Sequence, residues 1–351
     1  MLKRYLSIAI LFLAGFQLSA KEDVILVVGK SEREVFIVKE SQDLVEFKDL
    51  KTGATQKVKS DLVLSLKYKD AHVTFERAME AVETGNWGFA LQNILAAKKA
   101  MATSRNNWHK LYISYYTGKI LSEISRTTPK YVKNAEQYLA AFIKGGSTSR
   151  FYPNAHVDLS ELYVRMKKFD DARKILMTLE KVSKSSYWKG QAQAEIAKTY
   201  LVEGKTKEAM AMGTKLLKAG VINASIIDVF TAVLIDREGE YEKAYKLSST
   251  LVGKGDKKTR EKVYELRGCA SFHMKKYGEG LEDLLKAQLL YGSKEAASSR
   301  LNIYLTSTIH VLMKLKPSEY GGWEYNAPYV TLRKGLSVAG NKKFSKLVQK
   351  I

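Results

Sequence analysis

The chain has 351 residues, one cysteine and a formal net charge of +21, from 58 basic and 37 acidic side chains. A single cysteine excludes an intramolecular disulfide, so the fold must be stabilised by packing. The positive charge favours anionic partners and speeds their encounter, although lysines spread over helix surfaces often serve only solubility.

Residues 1–20 have the layout of a secretory signal peptide. Lys3 and Arg4 precede an apolar run that ends near Phe16, and small side chains follow at Ser19 and Ala20. The run is shorter than the roughly 20 residues that a membrane-spanning helix needs. We expect cleavage after Ala20 and export, most simply to the periplasm, with secretion or an uncleaved anchor as alternatives. Position 21 is not cysteine, so lipid anchoring at the cut is not expected.

Residues 21–70 predict a small β domain. Short runs rich in β-branched and apolar residues, VILVV, EVFIVKE, DLVEFKDL, QKVKS and LVLSLKY, are separated by the turn segments GKSER, SQ and KTGA. This pattern resembles the SH3-like or Sm-like mini-barrels found ahead of helical repeats in some exported bacterial proteins. Two roles remain open for the domain: a second binding surface, or a cap on the first repeat.

Residues 71–315 predict a helical region. Apolar residues recur three and four positions apart, as at Trp108, Leu111, Tyr112 and Tyr115, and proline is rare. The stretch KKFDDARKIL, residues 167–176, has relatives at residues 85–94, 239–248 and 275–284. This recurrence indicates an internal repeat.

The repeat is defined by small residues at near-constant spacing. In the second helix of each copy they are Ala90, Ala135, Ala172, Ala209, Ala244 and Gly280. In the first helix they are Ala78, Gly118, Ser160, Ala197, Ala232 and Gly268. A small side chain in each helix lets two helices cross closely, so we interpret all twelve positions as structural.

The repeat resembles the tetratricopeptide repeat, a helix-turn-helix unit of about 34 residues. The resemblance is carried by SELY at 160–163 with Ala172 and Leu176, AKTY at 197–200 with Ala209, and RGCASF at 267–272 with Gly280 and Leu284. It implies a mostly α fold, a solenoid of six to seven repeats with a concave binding surface, preceded by the β domain.

Residues 316–351 break the repeat pattern and return to a basic helical composition. The aromatic loop within them contains Tyr320, Trp323, Tyr325 and Tyr329. We interpret this segment as an aromatic loop and a C-terminal capping helix. The loop is either a recognition patch or a cover for the last apolar helix face.

The sequence offers no catalytic or metal-binding pattern. Its five histidines are scattered singly, and no second cysteine is present for a thiolate site. It lacks a P-loop, a nucleophile elbow and a dinucleotide-binding glycine pattern behind a strand. We therefore predict a protein that is not an enzyme and that uses no cofactor and no metal.

The repeat resemblance implies which side chains face a ligand. In the first repeat these are His72, Phe75, Met79 and Val82. From the later repeats we select as partner-binding candidates Tyr112, Tyr115, Lys119, Asn154, Gln191 and Lys198. Burial of Tyr112 and Tyr115 against the preceding repeat is the alternative.

The predicted function is an exported scaffold or adaptor that binds a protein or peptide on the concave face. The alternative is binding of an anionic polymer, such as lipopolysaccharide, an acidic glycan or nucleic acid, through the basic surface. The sequence does not identify the partner.

Overall fold

The computed structural model describes residues 22–103, 107–291 and 299–313. The expected signal peptide, residues 1–20, and the predicted C-terminal segment, residues 316–351, lie outside these ranges. The chain divides into two compact units, one up to Lys189 and the other from Gly190.

The first unit begins with a five-stranded antiparallel sheet in the order β4-β3-β2-β1-β5. The strands are β1 Asp23–Val27, β2 Arg33–Glu40, β3 Leu44–Asp49, β4 Thr55–Lys59 and β5 Val63–Lys67, with a 3₁₀ turn at Ser60–Leu62. Alternate residues point to one face, where Ile25, Val35, Val45, Phe47 and Val63 form the core of the sheet.

Six helices complete the first unit. They are α1 Val73–Glu83, α2 Trp87–Ala100, α3 Asn107–Ile124, α4 Val132–Gly145, α5 Tyr152–Arg165 and α6 Phe169–Val182. Helices pack in sequential pairs, α1 with α2, α3 with α4 and α5 with α6. The apolar faces of α1 to α5 share one core, which includes Tyr68 at the end of the sheet.

The second unit is helical in its described residues. It comprises most of α7 Ser186–Glu203, then α8 Thr206–Lys218, α9 Ala224–Phe230, α10 Tyr241–Leu251, α11 Lys257–His273, α12 Tyr277–Tyr291 and α13 Ser299–Met313. Helix α9 continues into a π-helical segment at Thr231–Arg237. The predicted fold, a mostly α chain of helix-turn-helix repeats behind a small β domain, is confirmed.

The small residues lie where paired helices cross. All of the predicted positions are buried except Ala232, which is half-buried. Helices α11 and α12 cross closely, since a Cβ built on Gly268 would lie 2.6 Å from Leu284 Cγ and 3.2 Å from the Gly280 carbonyl oxygen. Ala232 falls within the π-helical segment, whose wider turn changes the helical register, and the neighbouring Val233 is buried instead.

The helix-turn-helix turns share one backbone conformation. Five residues before the small residue of the second helix, φ is positive in five of the repeats, at Gly85, Lys167, Gly204, Gly239 and Lys275. The left-handed conformation ends the first helix and is most easily adopted by glycine. The N–H of Lys168 donates to the Tyr163 carbonyl at 2.8 Å, which closes the turn that contains Lys167.

Within the described ranges, no helix is both long enough and apolar enough to span a membrane.

Candidate functional site: a pocket between strand β5 and helix α1

The first unit contains a pocket of about 510 Å³ between the sheet and the first helices. One wall is strand β5 with the residue that follows it, residues 64–68. The opposite wall is helix α1, and α3 contributes Tyr112 and Tyr116. The volume lies within the range of about 300 to 1,000 Å³ that is usual for ligand sites.

Aromatic rings form the deep part of the pocket. Phe151 lies against Tyr112 edge-on, with ring centres 4.7 Å apart, and Phe75 lies 6.2 Å from the same tyrosine ring. Tyr116 and Met79 complete the apolar lining and are half-buried. Phe75 and Phe151 are buried, so helix packing holds these rings in place and the apolar surface exists before any ligand binds.

Glu40 holds two tyrosines of the pocket from behind. Its Oε2 accepts hydrogen bonds from the Tyr112 hydroxyl at 2.7 Å and from the Tyr68 hydroxyl at 2.9 Å. Burial raises the pKa of the Glu40 carboxyl, and these two hydrogen bonds oppose that rise only in part. The other carboxylate oxygen is buried and has no hydrogen-bond partner among the described residues. The proton of each hydroxyl is therefore already donated to Glu40 and is not available to a ligand.

The rim of the pocket is acidic on the helix side. Glu76, Glu80 and Glu83 line it at i, i+4 and i+7 of α1, and all three are exposed. Within the described ranges, Glu76 and Glu80 form no ion pair. Lys67, on the strand side, pairs with Glu32 at 3.0 Å.

Arg150 lies at one end of the pocket. It donates to the Val63 carbonyl at 2.8 Å, and its guanidinium lies 5.1 Å from the centre of the Phe151 ring. It therefore fixes the end of strand β5 against the helical part of the unit. The helix side of the pocket opening is therefore acidic, although the chain as a whole has a formal net charge of +21.

Tyr112 and Tyr115, the two tyrosines selected from the sequence, are buried. Their exposed fractions are 3% and 1%. Tyr115 stacks on Phe151 with ring centres 4.6 Å apart and donates to Asp158 at 2.8 Å. Tyr112 contributes to the pocket wall, whereas Tyr115 does not line it. The alternative of core tyrosines therefore fits their geometry better than a direct contact with a partner.

Lys119 and Asn154 lie in the same unit and are half-buried. Burial tends to lower the pKa of the Lys119 ammonium, but Asp158 and nearby groups outweigh it, so the pKa is raised. Lys119 thus lies in the field of the half-buried Asp158 carboxylate.

Gln191 and Lys198 lie in the second unit, on α7. Gln191 Nε2 donates to Glu195 at 2.9 Å, and Lys198 Nζ is 3.7 Å from the same carboxylate. Ser225 also bonds Glu195, at 2.5 Å. The six residues selected from the sequence are thus divided between the two units and do not form one site within either.

Two buried acidic groups of the second unit were not among the residues selected from the sequence. Asp283 is buried and accepts two hydrogen bonds from Arg267, at 2.7 and 2.6 Å. Glu265 is likewise buried and lies 3.2 Å from Lys262. The periodic pattern does not distinguish a paired buried carboxylate from a solvated one, because both occur on helices at similar spacing.

Neither a metal-binding cluster nor an activated thiol is present among the described residues. Among them, no group of three or more His, Cys, Asp and Glu side chains is placed to hold a metal ion. Cys269 is fully buried, and burial raises the pKa of its thiol well above the ordinary value. That environment suits a structural thiol rather than a nucleophile.

Comparison with known proteins gives matches among solved structures only. No protein-family model matches the chain, and no curated protein matches it. A tetratricopeptide repeat protein from Parabacteroides merdae ATCC 43184 is 16% identical over 79% of this chain and 96% of that one, with a TM-score of 0.40. The apo form of RapI is 15% identical over 78% and 79%, with a TM-score of 0.43. The RpL4 assembly chaperone Acl4 is 15% identical over 76% and 96%, with a TM-score of 0.28.

Proposed function

We propose that the protein is a non-enzymatic scaffold that binds a segment of a partner protein in the pocket between β5 and α1. The observation that carries the proposal is the pocket itself, with preformed aromatic walls and an acidic rim on one side. The repeat resemblance places four side chains of the first repeat on the ligand-facing side, and three of them, Phe75, Met79 and Val82, line the pocket, whereas His72 does not.

The lining selects among ligand classes. An apolar interior with a few charged groups at the edge is typical of sites that bind a side chain or a small molecule. Glu76 and Glu80 favour a basic group at the entrance and disfavour a polyanion there, because like charges repel. The best fit is a protein segment with a large apolar side chain beside a lysine or arginine.

We also propose that the protein is exported, with its signal removed after Ala20, and acts in the periplasm. The proposal rests on the composition of residues 1–20. The β domain is proposed to be SH3-like, which is supported by its strand order and by the 3₁₀ turn before β5. Intact mass of the protein purified from the cell envelope tests export: the expected mature chain begins at Lys21, and a full-length mass would overturn cleavage.

A photoreactive side chain in the pocket tests partner binding. Met79 is replaced with p-benzoyl-phenylalanine, the protein is irradiated in envelope extract, and the products are resolved by mass. Met177, 53% exposed on α6, receives the same replacement as a control for random encounters. We expect a discrete cross-linked protein from position 79 that position 177 does not give.

The salt dependence of the cross-link separates this function from polymer binding. Binding through counterion release falls steeply and log-linearly with salt, whereas an apolar pocket retains its ligand. Persistence of the position 79 product at high salt supports the pocket. Equal products at both positions, or none at position 79, would overturn it.

A further inference from the structure

Strand β5 is an edge of the sheet, and it lines the pocket along most of its length. Among the described strands it pairs with β1 alone, and residues 64–68 face the pocket. An edge strand presents backbone N–H and C=O groups with which another extended chain can pair. The pocket therefore offers backbone hydrogen bonds on one wall and side-chain contacts on the other.

The register of the sheet shows which backbone groups face the pocket. The Val28 N–H donates to the Leu62 carbonyl at 2.9 Å, so the even-numbered residues of β1 face β5. Their partners in the ladder are Ser65 and Lys67. Backbone groups of successive strand residues point to opposite edges, so the N–H and C=O of Leu66 point away from β1, towards the free edge.

Both ends of this free edge are already occupied. At one end Arg150 donates to the Val63 carbonyl at 2.8 Å. At the other, the Tyr68 carbonyl accepts from the Ala71 N–H at 3.0 Å. The open stretch is residues 64–67, about 13 Å at the rise of a strand. A register shift leaves Leu64, its first residue, without a partner in β1. An added strand is thus limited to about four residues.

The two edges of the sheet differ in charge. The opposite edge, β4, carries Lys57 and Lys59, and lysines on an edge strand discourage pairing with another chain. The β5 edge carries one lysine, Lys67, which is paired with Glu32 at 3.0 Å, and Leu64, which is 61% exposed. It shares the pocket with Glu76 and Glu80 on the opposite wall. Of the two, β5 is the edge suited to a basic extended segment.

We propose that the partner binds as an added strand on β5. Its segment is about four extended residues; it exchanges backbone hydrogen bonds with Leu66, places an apolar side chain against Phe75 and Met79, and sets a lysine or arginine opposite Glu76 and Glu80. This inference rests on the proposed function and specifies the form and charge of the partner.

Hydrogen exchange of single amides tests the backbone pairing. Nine-residue peptides are first selected from a synthetic random library for binding to the wild-type protein and not to Met79→Arg, which obstructs the pocket. Amide exchange is then followed by NMR with the best peptide. We expect exchange of the Leu66 amide to slow by about tenfold or more when it gains a partner. The Ser65 and Lys67 amides, already bonded to β1, should change little.

Charge reversals test the recognition of a basic segment. We expect the selected peptides to be rich in lysine or arginine, and Glu80→Lys to weaken their binding about threefold, as for an exposed ion pair. Glu34→Lys, an equal change at an exposed residue outside the pocket, should leave binding unaltered. Lys57→Glu on the β4 edge should also leave it unaltered.

The outcomes separate the two proposals. Peptides that bind in the pocket while Leu66 exchange is unchanged would overturn strand addition and leave the binding function standing. Selected peptides that are acidic would overturn the assigned charge. A change in peptide affinity from Lys57→Glu as large as that from Glu80→Lys would overturn the assigned edge. Failure to find any peptide that distinguishes wild type from Met79→Arg would overturn the pocket function as well.

Discussion

Tyr112 donates a hydrogen bond of 2.7 Å to Glu40, and this contact joins helix α3 to the last residue of strand β2. Tyr68 donates to the same carboxylate oxygen. One acidic side chain thus connects the sheet to the repeats behind the pocket. The arrangement accounts for the burial of Tyr112 and predicts how the first unit responds to substitution and to pH.

Removing the Glu40 carboxylate should destabilise the protein. Glu40→Ala leaves two buried hydroxyls without their acceptor, so we expect the free energy of unfolding to fall by about 2 to 3 kcal/mol. Tyr68→Phe is the control, because it removes one donor and keeps the bond from Tyr112; it should cost about 1 kcal/mol. Urea unfolding measures both. Equal losses of unfolding free energy in the two variants would contradict the role of Glu40 as the shared acceptor.

The same carboxyl should make stability depend on pH. Its pKa is raised above the ordinary 4.5 by burial. The native protein therefore holds this proton more tightly than the unfolded chain, so the contribution of Glu40 to stability decreases as pH rises from 4.5 through the raised pKa. We expect the free energy of unfolding of the wild type, measured with urea, to increase relative to that of Glu40→Gln as the pH is lowered from about 7 to about 5. A difference that is constant with pH would contradict the raised pKa.

Tyr115 and Lys198 should separate structural from surface roles. Tyr115→Ala removes a stacked, fully buried ring and should lower the free energy of unfolding by about 3 to 5 kcal/mol. Lys198→Ala removes a half-buried ion-pair partner of Glu195 and should cost no more than about 1 kcal/mol. Thermal melts compare the two variants. If Tyr115→Ala has the melting temperature of the wild type, the interpretation of Tyr115 as a core residue is wrong and the tyrosine is a candidate surface contact again.

Helix crossings should not accept an added methyl group. Gly268→Ala places a Cβ 2.6 Å from Leu284 Cγ, so overpacking should cost about 1 to 3 kcal/mol. Gly88→Ala is the matched control: it meets nothing within 4 Å and lies in helix α2, where alanine should stabilise by up to about 1 kcal/mol. The melting temperature should fall for Gly268→Ala and rise for Gly88→Ala. A change in the same direction for both variants would contradict the close helix crossing at Gly268.

The sequence predicted the repeats well because the small residues form a long-range pattern. Ala135, Ala172, Ala209 and Ala244 recur at nearly constant spacing, and each is buried in the structure. Ala232 fits the spacing but is only half-buried, because it lies in a π-helical segment. The spacing of small residues does not reveal such a local change of hydrogen bonding.

The candidate site was predicted only in part. The repeat resemblance placed His72, Phe75, Met79 and Val82 on the ligand-facing side. The last three line the pocket, whereas His72 is the N-cap of α1 and does not line it. The spacing of Glu76, Glu80 and Glu83 could also have been read as one helix face. Glu40 and strand β5 could not be assigned to the site, because their roles depend on how the sheet packs against α1 and α3, which no local pattern encodes.

The left-handed turns carry a consequence for protein engineering. Lys167 and Lys275 adopt φ values of 58° and 59°, where three other repeats have glycine. A side chain with a Cβ is disfavoured in that conformation by on the order of 1 kcal/mol. Helix packing therefore imposes the turn whatever residue occupies it, and both lysines are strained. Glycine at these two positions offers a route to a more heat-resistant protein that leaves the pocket and every buried contact untouched.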